Sequence, residues 1–150
     1  MIQRIQTIFL LSAMSLIAVL FFYPFAEIAV GNEIFTFSIK GFVNSETNKV
    51  IKDIISIPTF ISIILLINIA TIFLFKKRKL QMRFSVYNII LMLGMSGILF
   101  YLAHSAFEPA PTVEYKITIL FPVIAAIFNY MAFRNIRKDE LLVRAVDRIR

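Results

Sequence analysis

The sequence predicts an all-α membrane protein: a four-transmembrane-helix bundle with an outer loop suited to a small extracytoplasmic β-sheet and a cytoplasmic C-terminal helix. Three observations lead there. The 150 residues are 59% hydrophobic and 17% charged, with a mean hydropathy of +0.83, against roughly 45–50% apolar content in soluble domains. Four apolar windows free of Asp, Glu, Lys and Arg divide the chain. The charges gather between and after those windows, and the basic ones fall mostly on one side.

The windows run about Ile5 to Phe25, Ile54 to Phe75, Phe84 to Ala103 and Ile117 to Phe133. Each is close to the roughly 20 residues that carry a helix across about 30 Å of hydrocarbon. The chain supplies almost no polar helix face, so burial of these helices inside a large soluble protein is excluded. The first window follows Arg4 and precedes Ala29-Val30-Gly31, a small-residue run like a signal cleavage site. It exceeds the about 7–15 residues of a signal core, which favours a retained anchor. Residues 1–150 are therefore read as one integral membrane domain with spans at 5–25, 54–75, 84–103 and 117–133, an outer loop at 26–53 and a tail at 134–150.

Orientation follows from the basic residues. Arg4, the cluster Lys76, Lys77, Arg78, Lys79 and Arg83, and six residues from Arg134 to Arg150 lie on one side, which is 12 of the 16 Lys and Arg. Lys40, Lys49, Lys52 and Lys116 lie on the other. The positive-inside rule puts the first side, with both termini, in the cytoplasm. This makes KKRK a topology signal beside the lipid bilayer, so no nucleic-acid partner is expected despite the net charge of +7. All five prolines, Pro24, Pro58, Pro109, Pro111 and Pro122, fall toward the outer side. Pro58 and Pro122 mark helix starts there and Pro24 ends the first helix. In the outer loop, Phe35, Phe37 and Ile39 alternate with Thr36, Ser38 and Lys40, the period of a half-buried strand; Gly41 suits a bend, and TVEYKI offers a partner strand.

In the tail, Ile136, Leu142, Ala145, Val146 and Ile149 recur near helical spacing, and Glu140 and Arg144 stand at the favourable i, i+4 separation. A polybasic anchor on anionic lipid needs no acids, yet this tail carries Asp139, Glu140 and Asp147. The candidate cytoplasmic interaction residues are thus Arg4, Arg137, Lys138, Asp139, Glu140, Arg144, Asp147 and Arg148, docking either a partner protein or the chain's own N-terminal segment. The outer loop is a second candidate surface for a protein partner.

MIQRIQT, KKRKLQMR and above all IRKDELLVRAVDRIR resemble the family of small four-span membrane proteins of Bacteroidota known as domain of unknown function 4293. The resemblance covers the whole chain. It implies four spans in a bacterial inner membrane and no activity, so it transfers no catalytic residues.

The spans offer little chemistry. Gly94-Met95-Ser96-Gly97 reads G-x-S-G, the nucleophile motif of intramembrane rhomboid proteases, and His104 is the lone histidine. Eight residues of continuous helix hold Ser96 and His104 about 12 Å apart, far beyond the about 3 Å that a nucleophile and base require. Gly94 and Gly97 instead suit close helix packing, and Asn68, Asn88 and Asn129 suit hydrogen bonding between helices. His104 beside Glu108 gives too few ligands for a metal. Zero cysteines exclude disulfides, thiolate metal sites and a lipidated lipoprotein N-terminus. Four scattered glycines build no nucleotide-binding loop, so no cofactor is expected. The expected function is a non-enzymatic accessory or scaffold subunit of a membrane assembly. The alternative, a small channel or a lipid or small-molecule transporter, lacks the intramembrane charge of a coupled pathway. The charge count makes a direct prediction: a fluorescent reporter that matures only in the cytoplasm should be bright when fused after Arg150, and a signal confined to export-dependent reporters would reverse the topology.

Overall fold

The computed structural model describes residues 2–31, 33–107 and 112–147, with side chains at 5–31, 33–75, 77–107 and 112–143. It contains four α-helices, α1 (Ile2–Val19), α2 (Ser56–Phe73), α3 (Arg78–Ser105) and α4 (Phe121–Asp147). Four strands separate α1 from α2: β1 (Ala26–Val30), β2 (Glu33–Ser38), β3 (Gly41–Asn44) and β4 (Val50–Lys52). A fifth, β5 (Thr112–Tyr115), lies between α3 and α4. The class is therefore not all-α: the bundle is capped by a five-stranded antiparallel sheet in the order β4-β3-β2-β1-β5.

The helices form a ring in which α4 packs between α1 and α3, and α2 closes the circuit against α3 and α1. α2, α3 and α4 with its leading turn (Ile117–Val143) are long and apolar enough to cross a membrane; α1 offers a shorter apolar stretch, Ile5–Val19. Only 28–39% of the three long windows is buried within the molecule. Exposed Ile63, Leu66, Ile90, Leu93, Ile127 and their neighbours need lipid to cover them.

The first window is shorter as a helix than the 5–25 the hydropathy predicts. Tight i→i−3 bonds from Leu20, Phe21 and Phe22 unwind its end, and Pro24 cannot donate the next one. Phe25 then leaves the helix for the sheet. Its N–H donates to the Phe37 carbonyl at 2.8 Å, and its own carbonyl accepts from Lys116 N–H at 3.0 Å. The Thr118 hydroxyl donates to the Pro24 carbonyl at the same junction. Phe25 thus serves the sheet core, with Phe21 packed partly against it, while Phe22 and Tyr23 remain exposed.

That core is aromatic. Phe25 meets Phe37 edge-on, Phe37 stacks on Phe42, and Phe107, just beyond α3, contacts both Phe42 and Phe35, with ring centroids 4.6–5.2 Å apart. The expected alternation holds in β2, where Phe35 and Phe37 point inward and Thr36 and Ser38 are half-buried. The bundle interior continues the same cluster without a break through Leu20, Ile17, Ile57, Ile61 and Leu99. Both sheet edges are short: β4 has three exposed residues and β5 four residues, which limits edge-to-edge pairing with other chains. Directly across the β1–β5 pair, Glu27 faces Glu114, a like-charge register. Lys116 stands 2.9 Å from Glu27 and offsets it.

Pro58 and Pro122 occupy the first turns of α2 and α4, where proline's fixed φ suits the helix start. Pro109 and Pro111 lie outside the described residues. The helical tail is the continuation of the fourth span, since α4 runs unbroken from Phe121 to Asp147.

Gly41 turns the chain between β2 and β3 at φ +96°, and a Cβ there would sit 2.1 Å from the Lys52 carbonyl oxygen. Gly31 also has positive φ, +60°, but open space around it. Gly41→Ala should therefore unfold or displace β4 and lower the thermal midpoint in detergent well beyond Gly31→Ala. The latter should cost only the about 1–2 kcal/mol of a left-handed residue with a Cβ.

Candidate functional site

The core changes character along the bundle axis. From the turn toward the sheet, the buried face of α3 carries Gln81, Ser85, Asn88 and then Met92, Met95, Leu99. On α2 the buried order in the same direction is Thr71, Asn68, Ile64, Ile61, Ile57. α4 contributes Asp139 and Asn129, and α1 contributes Gln6. The half of the core nearest the basic turn is thus the richer in polar side chains, while the half under the sheet is mostly apolar, with Ser96 and Thr118 its buried hydroxyls.

All three predicted packing asparagines are fully buried. Only one of their amide groups has a partner: Asn129 Nδ2 points at Met92 Sδ, 3.9 Å away, while both amide atoms of Asn68 and Asn88 and the Ser85 hydroxyl bond nothing among the described residues. Each such group in a dry interior costs about 1–3 kcal/mol. Thr71 and Ser96 avoid that cost by bonding the carbonyls of Ile67 and Met92 one turn back. Gly94 and Gly97 pack against no helix of this chain. Both lie on the exposed face of α3, and an added Cβ at either would meet no atom within 4 Å. Within the chain, small residues serve helix contact at Ala13, Ala103, Ala125, Ala126 and Ala132, which are all buried.

At the basic end, α4 is locked to its neighbours. The Gln6 amide donates to the Asp139 carboxylate, and both side chains are buried. Arg78, the first residue of α3, donates through Nη1 to the Asp139 backbone carbonyl at 3.1 Å. Ile136 is buried one turn above. Of the two docking targets the sequence leaves open, Asp139 takes the chain's own N-terminal helix, to which it joins the tail. Arg137 and Lys138 are exposed, and Glu140 is half-buried and engaged. The side chains of Arg4, Arg144 and Asp147, and all of Arg148, lie outside the described residues. Sequence reasoning missed Gln6, Gln81 and Ser85, although Gln81, Ser85, Asn88 and Met92 already show the i+4, i+3, i+4 spacing of one helix face.

Between α3 and α4 at this end runs an open groove of about 540 Å³. Lys79, Arg83 and Arg137 line it toward the turn, and Val86, Tyr87 and Phe133 line it toward the span. Ser96, by contrast, is buried against its own helix, and His104 is exposed two turns away on the same helix. Among the described residues, no three His, Asp or Glu side chains converge.

Apolar helices, a lipid-dependent surface and charge confined to the ends define a multi-pass membrane protein with a sheet-capped helical bundle. The chain belongs to the family described as Domain of unknown function (DUF4293), whose profile matches residues 2–149. No curated protein matches it.

Removing the carboxylate in Asp139→Ala strands the Gln6 amide in a buried site, so the variant should lose about 1–3 kcal/mol of stability. The fall should appear in the unfolding midpoint of the detergent-solubilised protein, and Gln6→Ala should add little to it. Additive losses in the double variant would show that the two residues act separately.

Proposed function

We propose that this chain is a non-enzymatic accessory or scaffold subunit of a membrane assembly in a bacterial inner membrane, with its basic end in the cytoplasm. The observation that carries the reading is α4 itself. Its 27 residues span about 40 Å at 1.5 Å per residue, roughly 10 Å more than the hydrocarbon layer. The surplus is held rigid by Asp139 and Ile136, and beyond them Leu141, Leu142 and Val143 are 56%, 60% and 44% exposed. A stiff, projecting helix with apolar side chains outside the span fits partner recognition better than a free polybasic anchor. The basic turn and the six basic residues from Arg134 to Arg150 support a cytoplasmic location for this end. The absence of activity in the proposal rests on the chemistry of the spans: Ser96 is bonded to its own helix and distant from His104, and among the described residues neither has an activating partner.

A channel or transporter draws support from the unpartnered amides of Asn68 and Asn88. Against it, both residues and Asn129 are 0% exposed, so no polar crevice reaches them from either end.

Deleting residues 141–150 keeps Asp139 and should leave insertion unchanged. Native purification in mild detergent should then lose, in the truncated chain, a stoichiometric subunit that accompanies the full chain. Recovery of the same subunit with both forms would defeat the scaffold reading.

A further inference from the structure

We propose that the groove between α3 and α4 is a binding site for one anionic glycerophospholipid of the leaflet at the basic end. Its phosphate would be held by Lys79, Arg83 and Arg137, and the upper parts of its acyl chains would lie along Val86, Tyr87 and Phe133. The groove's polarity runs in the order a lipid presents. Along α3, Lys79 and Arg83 come first and Val86 and Tyr87 follow one turn deeper; along α4, Arg137 comes first and Phe133 follows one turn deeper. One helical turn is about 5.4 Å, close to the step from a headgroup phosphate to the start of its chains.

Charge supports an anion. Three cations line the groove against one carboxylate, Glu140, which already has an interaction of its own. Among the described residues, Lys79, Arg83 and Arg137 make no ion pair, whereas the neighbouring Arg78 is spent on the Asp139 carbonyl. The cations are also exposed, so they are not held for internal structure. A volume of about 540 Å³ falls inside the usual range of ligand sites, roughly 300–1,000 Å³. The groove opens sideways, toward lipid: Val86 is 38% and Tyr87 56% exposed. Basic hollows between transmembrane helices at the headgroup level recognise anionic lipid by this combination of fixed charge and apolar wall. The site is independent of any protein partner, and its failure would leave the scaffold reading untouched.

Each basic residue near an anionic lipid is worth about a fivefold gain in affinity. The full chain, solubilised in a neutral detergent, would be titrated with phosphatidylglycerol, phosphatidylcholine or inorganic phosphate and read by native mass spectrometry. Phosphatidylglycerol should be retained preferentially, one molecule per chain, at levels inorganic phosphate does not displace. In Arg83→Gln/Arg137→Gln the preference over phosphatidylcholine should fall by roughly 25-fold. Arg134→Gln/Lys138→Gln removes the same charge from exposed positions outside the groove and should retain most of it. Equal losses in the two double variants would mean diffuse attraction and overturn the site. So would equal retention of the two lipids by the wild-type chain, and displacement by inorganic phosphate would identify a free anion as the ligand instead.

Discussion

Hydrocarbon does not accept an unpaired charge, and the organisation of this protein follows from that exclusion. With no Asp, Glu, Lys or Arg in the apolar windows, every strong electrostatic interaction is forced to one end of the bundle or the other. Helix positions inside the layer are then fixed by packing and by uncharged polar groups, while the ends carry the directional contacts. Gln6 to Asp139 and Arg78 to the Asp139 carbonyl tie three helices at one end. At the other end, the backbone of Phe25 and the Thr118 hydroxyl tie the start of the sheet to the start of α4. The helices between need only complementary surfaces.

The two ends are nonetheless built on different physics. Under the sheet, five phenylalanines contact one another and the core is continuous, so the stabilisation is apolar and broadly shared. Toward the basic turn, the interior holds amides and hydroxyls whose hydrogen-bonding capacity is only partly met. Such a region has a smaller free-energy gap to locally opened states than a packed aromatic core does. The α2–α3 hairpin below Ile64 and Met92 is therefore held less by side-chain bonding in its interior than by the contacts at its end, where Arg78 reaches the Asp139 carbonyl.

Much of this fold could be read from the chain because hydropathy and proline placement act locally. Three of the four windows became the long helices, Pro58 and Pro122 sit in first turns, and the alternation around Phe35 and Phe37 gave a strand with the expected inward face. What escaped were decisions made by distant partners. The end of α1 depends on Phe25 pairing with residues near 37 and 116, and β1 is recognisable only once β5 lies beside it. For Asp139 the sequence leaves a partner protein and the chain's own N-terminal segment both open, and only the fold brings Gln6, 133 positions away, against it. Gly94 and Gly97 show the complementary point: small size permits close approach but does not say which face a neighbour of the same chain occupies. For the candidate site, the individual basic residues were visible, yet their convergence with Tyr87 and Phe133 required the pairing of α3 with α4.

The sheet also carries information about assembly order. β1 emerges immediately after α1, but the strand that covers its outer edge is β5, which follows α3 and lies more than eighty residues later. During synthesis β1 must wait with one row of backbone donors and acceptors open until two further helices have entered the bilayer. Closing that row draws Lys116 and Thr118 onto Phe25 and Pro24 and sets the height at which α4 enters. The cap thereby ties the two ends of the sequence together: the sheet is complete only when the chain that follows α3 has come back beside the chain that follows α1.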